Sequence, residues 1–170
     1  MNKKVFQLLV DNTSGVLSRI SGLFSRRGYN IESITAGITG DPLVSRITIV
    51  ALGDDEILEQ IEKQVEKLED VRHIKELNPM ESVYRELCLI KVASPPEQRQ
   101  QITTIVDIFR ANIIDVATDS LTIEITGDQS KIEACLRLLS EYKILEIART
   151  GIAGLERGSK NVIWIQNEDD

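Results

Sequence analysis

Aromatic side chains are nearly missing: Phe, Trp and Tyr make up 4% of the 170 residues. The core must therefore be aliphatic, built from Leu, Ile and Val. Histidine is represented once, by His73, and cysteine twice, by Cys88 and Cys135. That set cannot supply a zinc site of ordinary spacing, and no metal ligands are expected. Basic residues are in deficit, 20 Lys and Arg against 27 Asp and Glu, for a formal net charge of −7. A nucleic-acid or anionic-membrane partner would need a concentrated basic face instead. No apolar run approaches the roughly 20 residues of a membrane-spanning helix. The basic start, Met1-Asn2-Lys3-Lys4, leads into an apolar stretch that ends at Asp11, too short for a signal-peptide core. Both cysteines lie in apolar contexts and read as buried, reduced thiols, which fits a cytoplasmic protein. There is no glycine-rich phosphate loop ending in Lys-Ser or Lys-Thr, and no Gly-x-Gly-x-x-Gly after a strand. Nothing here assembles a catalytic constellation.

What is present is a strong periodic pattern. Residues 3–10 read as a strand. Residues 15–27 read as a helix with Val16, Leu17, Ile20, Leu23 and Phe24 on one face and Gly28 as its stop. Asn30 to Ile38 and Val44 to Leu52 read as strands separated by a Gly40-Asp41-Pro42 turn. Asp54 or Asp55 caps a second helix with Ile57, Leu58, Ile61, Val65 and Leu68 inward, and Val71 to Leu77 is a fourth strand, ended by Asn78-Pro79. The same order then recurs. Arg85 to Ala93 is a strand and Pro95-Pro96 opens a helix whose stripe is Ile102, Ile105, Val106 and Phe109. Ile113 to Ala117 and Leu121 to Thr126 are strands, followed by a helix with Ile132, Cys135, Leu136 and Leu139 inward and a last strand, Ile144 to Arg149. Gly53-Asp54 and Gly127-Asp128 precede the second helix of each half, and Asn30-Ile31 and Asn112-Ile113 start the second strand. The expectation is an α+β protein of two ferredoxin-like βαββαβ domains in tandem, residues 1–78 and 79–158, with a tail at 159–170. The Val162-Ile163-Trp164-Ile165 run in that tail is apolar enough to dock. Small cores and open sheet edges favour an oligomer.

Little in this pattern suggests chemistry. His73 reads as a surface residue. Asp54-Asp55-Glu56 is an acidic first turn, favoured by the helix dipole. RNA-binding modules of this fold stack bases on strand aromatics, which these strands lack. The unusual segment is Asp11-Asn12-Thr13-Ser14-Gly15-Val16-Leu17, between the first strand and first helix. Free N–H groups at a helix start attract anions, Gly15 permits close approach, and the Asn12 amide both donates and accepts. Such a loop suits a zwitterionic amino acid, with its carboxylate on the helix start and its ammonium on Asn12. On the residues alone, a helix cap built from Asn, Thr and Ser is the favoured reading. The matching turn of the second half, Ala93-Ser94-Pro95-Pro96, has two prolines and no glycine, so any such site belongs to the first half.

The runs Asp11 to Arg19 and Gly22-Leu23-Phe24-Ser25-Arg26-Arg27-Gly28-Tyr29-Asn30-Ile31-Glu32-Ser33 resemble the signature of acetolactate synthase (acetohydroxyacid synthase) small subunits, whose N-terminal part is an ACT domain. Leu58 to Gln64, Ile108 to Val116, and Ala148-Arg149-Thr150-Gly151 with Gly154-Leu155 and Arg157-Gly158 are similar too. The resemblance implies a non-catalytic regulatory subunit. It would activate a large subunit carrying thiamine diphosphate, FAD and magnesium, and confer feedback inhibition by valine, leucine or isoleucine. It implies that two ACT domains pair into one sheet with effector at their interface. Asn12, Gly15 and Val16 would come from one chain and Asn30, Ile31 and Gly37 from the other. Gly37 stands where some relatives carry alanine, which leaves pocket volume open. The competing expectation is a stand-alone ACT sensor regulating another partner.

Overall fold

A computed structural model describes residues 2–160, so the Val162 to Ile165 run and most of the expected tail lie outside the described residues. The first half builds β1 (Asn2–Asp11), α1 (Val16–Arg27), β2 (Asn30–Ile38), β3 (Val44–Gly53), α2 (Asp55–Val65) and β4 (Val71–Glu76). The second builds β5 (Ser82–Ala93), α3 (Pro96–Ile108), β6 (Asn112–Val116), β7 (Ser120–Gly127), α4 (Gln129–Leu139) and β8 (Ile144–Arg149), then a short β9 (Ala153–Glu156) that the periodicity did not foretell. Each half is the expected βαββαβ unit. The first sheet runs β2-β3-β1-β4 and the second β6-β7-β5-β8, with β9 pairing β5 off that path. Compactness divides the chain into Met1–Val83 with the segment from Gly154 onward, and Tyr84–Ala153. The Asn78-Pro79 signal lies ahead of the first of these divisions, and Gly154 to Gly158, expected with the second half, goes with the first.

The helical stripes form the first core. Val16, Ile20, Leu23 and Phe24 of α1 are buried against Phe6, Leu8 and Val10 of β1 and Ile47, Ile49 and Ala51 of β3. Each such side chain contributes about 1.5–3 kcal/mol on leaving water. Leu58, Ile61 and Val65 of α2 complete that layer. Two expected stripe members sit outside it: Leu17 is 48% exposed and Ile57 37%. Both lie in the first turn of their helices, where the chain is still entering from a loop. The second core gathers Cys88, Ile90, Val92, Ile102, Val106, Leu121, Ile123, Ile125, Ile132, Cys135 and Leu139. Both cysteines are buried and free. Burial pushes the Cys135 thiol up to about 11.

The helix-free face of the first sheet is not a polar, solvated surface. Val5, Gln7 and Leu9 of β1, and Thr48 and Val50 of β3, are buried there. This explains why β1 reads as a nearly unbroken apolar run instead of an alternating one. Cross-strand register aligns His73, Leu9, Arg46 and Gly37 in one row and Lys75, Gln7, Thr48 and Thr35 in the next. Among the described residues, no helix is long and apolar enough to cross a membrane.

The Ala148-Arg149-Thr150-Gly151 run has a structural role. Arg149 donates from Nε and Nη2 to the carboxylate of buried Glu86, at 2.6 and 3.0 Å. The Thr150 hydroxyl accepts from Leu87 N–H at 3.1 Å. Gly151 turns the chain at φ 84°.

Candidate functional site

The segment between β1 and α1 is held from both sides. Asp11 N–H donates to the Asp70 carbonyl at 2.9 Å and Asn12 N–H to the Leu43 carbonyl at 2.8 Å. The Asn12 side chain ties the segment to the β2–β3 turn: Nδ2 donates to the Pro42 carbonyl at 2.8 Å and Oδ1 accepts from the Ser45 hydroxyl at 3.2 Å. Asn12 therefore braces the loop instead of capping the helix, and its amide is engaged within the chain. Thr13 and Ser14 do not cap either. The N-cap is Gly15, at φ 85° in the left-handed region, with no side-chain cap hydrogen bond. The favoured expectation of an Asn/Thr/Ser cap is thus corrected, because the left-handed turn at Gly15 makes the backbone itself enter the helix. The first helical bond runs from Arg19 N–H to the Gly15 carbonyl at 3.0 Å. Among the described residues, no side-chain cap takes the N–H groups that precede it.

Arg19, one turn into α1, folds back over this opening. Its Nη2 reaches the Ser14 carbonyl at 3.5 Å, its Nε donates to the Asp70 carboxylate, and Nη1 lies 2.9 Å from where a Cβ on Gly15 would stand. Hydrogen bonding to Asp70 holds the guanidinium protonated still more firmly than usual. Arg72 pairs with Asp11 at 2.6 Å. The opening thus combines an uncapped, electropositive helix end with a guanidinium beside it, which suits a carboxylate. Sequence reasoning passed over Arg19 and Asp70. Arg19 carries a signal, the i, i+4 spacing from Gly15 that puts it on the same face of the helix. Asp70 carries none, because the α2–β4 turn is brought there by tertiary folding.

The six expected site residues do not converge within one chain. Gly15 and Asn12 are exposed and Val16 is buried, all at the end of the sheet where β1 finishes and β3 begins. Gly37 lies at that same end on edge strand β2, opposite Arg46, with nothing within 4 Å of where its Cβ would be. Asn30 and Ile31 pair with Leu52 and Ala51 at the opposite end of β2. Strand rise puts them on the order of 20 Å from Gly37. His73 is exposed on β4, as expected. Among the described residues, no cluster of His, Cys, Asp or Glu could hold a metal ion.

Comparison with known proteins bears on both halves. Residues 6–73 match a family model described as an AHAS small subunit-like ACT domain, and residues 85–158 match one described as the small subunit of acetolactate synthase. The chain belongs to the acetolactate synthase small-subunit family. Within that family it is 48% identical to a probable acetolactate synthase small subunit of Methanothermobacter thermautotrophicus, over 93% of this chain and 95% of that one. It is 44% identical to the acetolactate synthase isozyme 3 small subunit of Escherichia coli, over 93% of this chain and 98% of that one. The crystal structure of the acetolactate synthase small subunit from Thermotoga maritima superposes with a TM-score of 0.87 at 43% identity, covering 94% of this chain and 100% of that one. The family's first domain is thus the ACT unit that carries the Gly15 opening, and Glu86–Arg149 belongs to the second.

Proposed function

We propose that this chain is the regulatory partner of a catalytic acetolactate synthase large subunit in branched-chain amino acid biosynthesis. It raises the activity of that subunit and confers feedback inhibition by valine or another branched-chain amino acid. It performs no catalysis itself. Thiamine diphosphate, FAD and magnesium belong to the large subunit, and the complex works in the cytoplasm. Residues 1–78 are the effector-binding part. Two chains pair through their β2 edges about a two-fold axis. In such antiparallel pairing, the start of one β2 lies beside the end of the other. Asn30 and Ile31 of one protomer then come to the end where Asn12, Gly15 and Val16 lie in its partner; this departs from the expectation that Gly37 accompanies Asn30 and Ile31, because Gly37 stands at the other end of their strand. The observation that carries this reading is the left-handed Gly15 at the start of α1, which has no side-chain cap, at the same end of the sheet as Gly37 on the outer strand β2. Effector carboxylate meets the helix N–H groups, that of Val16 among them, and Arg19, and its aliphatic side chain meets the partner's Ile31.

The test is Gly15→Asp in the reconstituted holoenzyme. Aspartate tolerates the left-handed region better than most residues, so backbone strain is limited to about 1–2 kcal/mol, and the flexible end of Arg19 shifts away from the new Cβ. Its carboxylate occupies the place of the effector's. The expected outcome of a valine titration is loss of inhibition with activation retained. Gly15→Ala, which brings the strain without the charge, should be affected less. Unchanged valine inhibition in Gly15→Asp would put the effector elsewhere.

A further inference from the structure

On the helix-free face of the first sheet, Arg46 occupies an unusual position. Its Nη2 donates to the Gly154 carbonyl at 2.7 Å and also to Oε1 of Gln7. Beside it, Lys75 donates to the Glu156 carboxylate at 2.7 Å, where the Glu156 side chain is only 9% exposed. The Arg157 N–H reaches the Glu81 carbonyl at 2.7 Å. The return strand Gly154–Glu156 is therefore held on this face by two charged side chains from β3 and β4. Arg46 is half-buried, and burial opposes its charge while nearby Glu156 favours it. The seat is incompletely satisfied: Nε2 of Gln7 is buried with no hydrogen-bond partner among the described residues. A partly satisfied buried polar cluster is a weak point that a small displacement can rearrange.

The backbone of Arg46 lies next to residues of the candidate effector site. Its neighbour Ser45 donates to Asn12, and its register partner on β2 is Gly37. One residue thus touches the return strand while its backbone pairs with Gly37 and its chain neighbour bonds Asn12. We propose that Arg46 is a coupling residue: effector held at the Asn12–Gly37 end displaces β3 at Ser45–Arg46 and thereby alters how firmly Gly154–Glu156 is held. This rests on the effector reading above. The return strand follows Ala153 directly in the chain, so a change in its hold is passed along the backbone to the second unit. The coupling acts through position and not through effector contact.

The experiment compares the full chain, Arg46→Met and Glu156→Gln. Valine binding is measured by calorimetry, amide exchange over residues 150–157 with and without valine, and valine inhibition with the large subunit present. In the parent, valine should change exchange over 150–157. In Arg46→Met that segment should exchange faster and ignore valine. Valine affinity should stay within about threefold, while the inhibition reached at saturating valine falls by about fivefold or more, the scale of an ordinary allosteric coupling. Glu156→Gln should move the same way, less far, and it carries the test if Arg46→Met does not fold. Valine inhibition and exchange unchanged in the variants, with a responsive parent, would overturn the coupling role alone. So would loss of activation together with inhibition in both, which would make the contact merely architectural. A parent that neither binds nor responds to valine, leucine or isoleucine would remove the effector reading itself, and the coupling with it.

Discussion

At the scale of single residues, charge pairs of similar appearance differ in worth. Glu86 is 6% exposed and receives both hydrogen bonds of a forked guanidinium. Lys91 and Glu146, on the same sheet, form a pair at 3.2 Å in which both partners are largely exposed. Removing Arg149 leaves a buried carboxylate without its partner, whereas removing Lys91 returns Glu146 to water. Arg149→Met should therefore destabilise the chain by about 1–3 kcal/mol, reduced from a fully buried pair because Arg149 is partly solvated. Lys91→Met should stay within about 0.5 kcal/mol. Urea unfolding of the two variants checks the ranking. Equal costs would mean that the Glu86 carboxylate has another source of compensation.

At the scale of elements, the two Gly-Asp echoes, which look alike in sequence, do different work. Asp128 caps α4: Oδ1 accepts from Lys131 N–H at 2.9 Å and from the Ser130 hydroxyl at 2.7 Å. Asp54 stands in the same position before α2 but makes no side-chain cap hydrogen bond. Its α2 carries Asp55 and Glu56 in the first turn, and Asp55 is turned toward Asn2 instead. Asp128→Ala should cost about 1 kcal/mol at neutral pH, and Asp54→Ala less than half of that. The Lys131 backbone N–H, then Ser130, holds the Asp128 carboxyl below its ordinary value of 3.8. The sign follows: protons bind the unfolded chain first, so the cap is fully effective above that ordinary value and is lost as pH falls through the lower folded one. Thermal melts of parent and Asp128→Ala should converge in acid. A difference that persists at the lowest accessible pH would assign the effect to helix propensity and not to the cap.

At the scale of the whole molecule, Gly37 separates folding from assembly. A methyl group there meets nothing within 4 Å in its own chain. Gly37→Ala should thus leave stability unchanged or raise it by about 0.4–1 kcal/mol, by restricting the unfolded chain. If the effector site assembles at this end of β2, between Asn12, Gly15 and the partner's Asn30 and Ile31, the same methyl intrudes there, with an overpacking cost of about 1–3 kcal/mol. Calorimetry should then show valine affinity lowered by roughly fivefold or more, with the melting temperature no lower than the parent's. Affinity unchanged in an intact dimer would move the site away from this strand end.

Much of the fold is written in local pattern. The 3.6-residue stripes of α1 and α2, the prolines opening α3 and the left-handed Gly28 after α1 each depend on neighbours a few residues away, and each is legible. So is the βαββαβ order, which follows from those elements in succession. The candidate site is legible only in part. Gly15 stands out, but that it caps α1 without any side chain depends on Asn12 being drawn off to Pro42 and Ser45, contacts some thirty residues distant in the chain. Asp70 beside Arg19, Glu86 beneath Arg149 and Gly154 on Arg46 are likewise choices of tertiary structure. Periodicity states which face of a strand is apolar, and composition states that the core is aliphatic. What covers the second face of β1, and which of two identical Gly-Asp pairs becomes a cap, is decided when distant segments compete for the same backbone groups, because only the folded chain brings those competitors within hydrogen-bond reach.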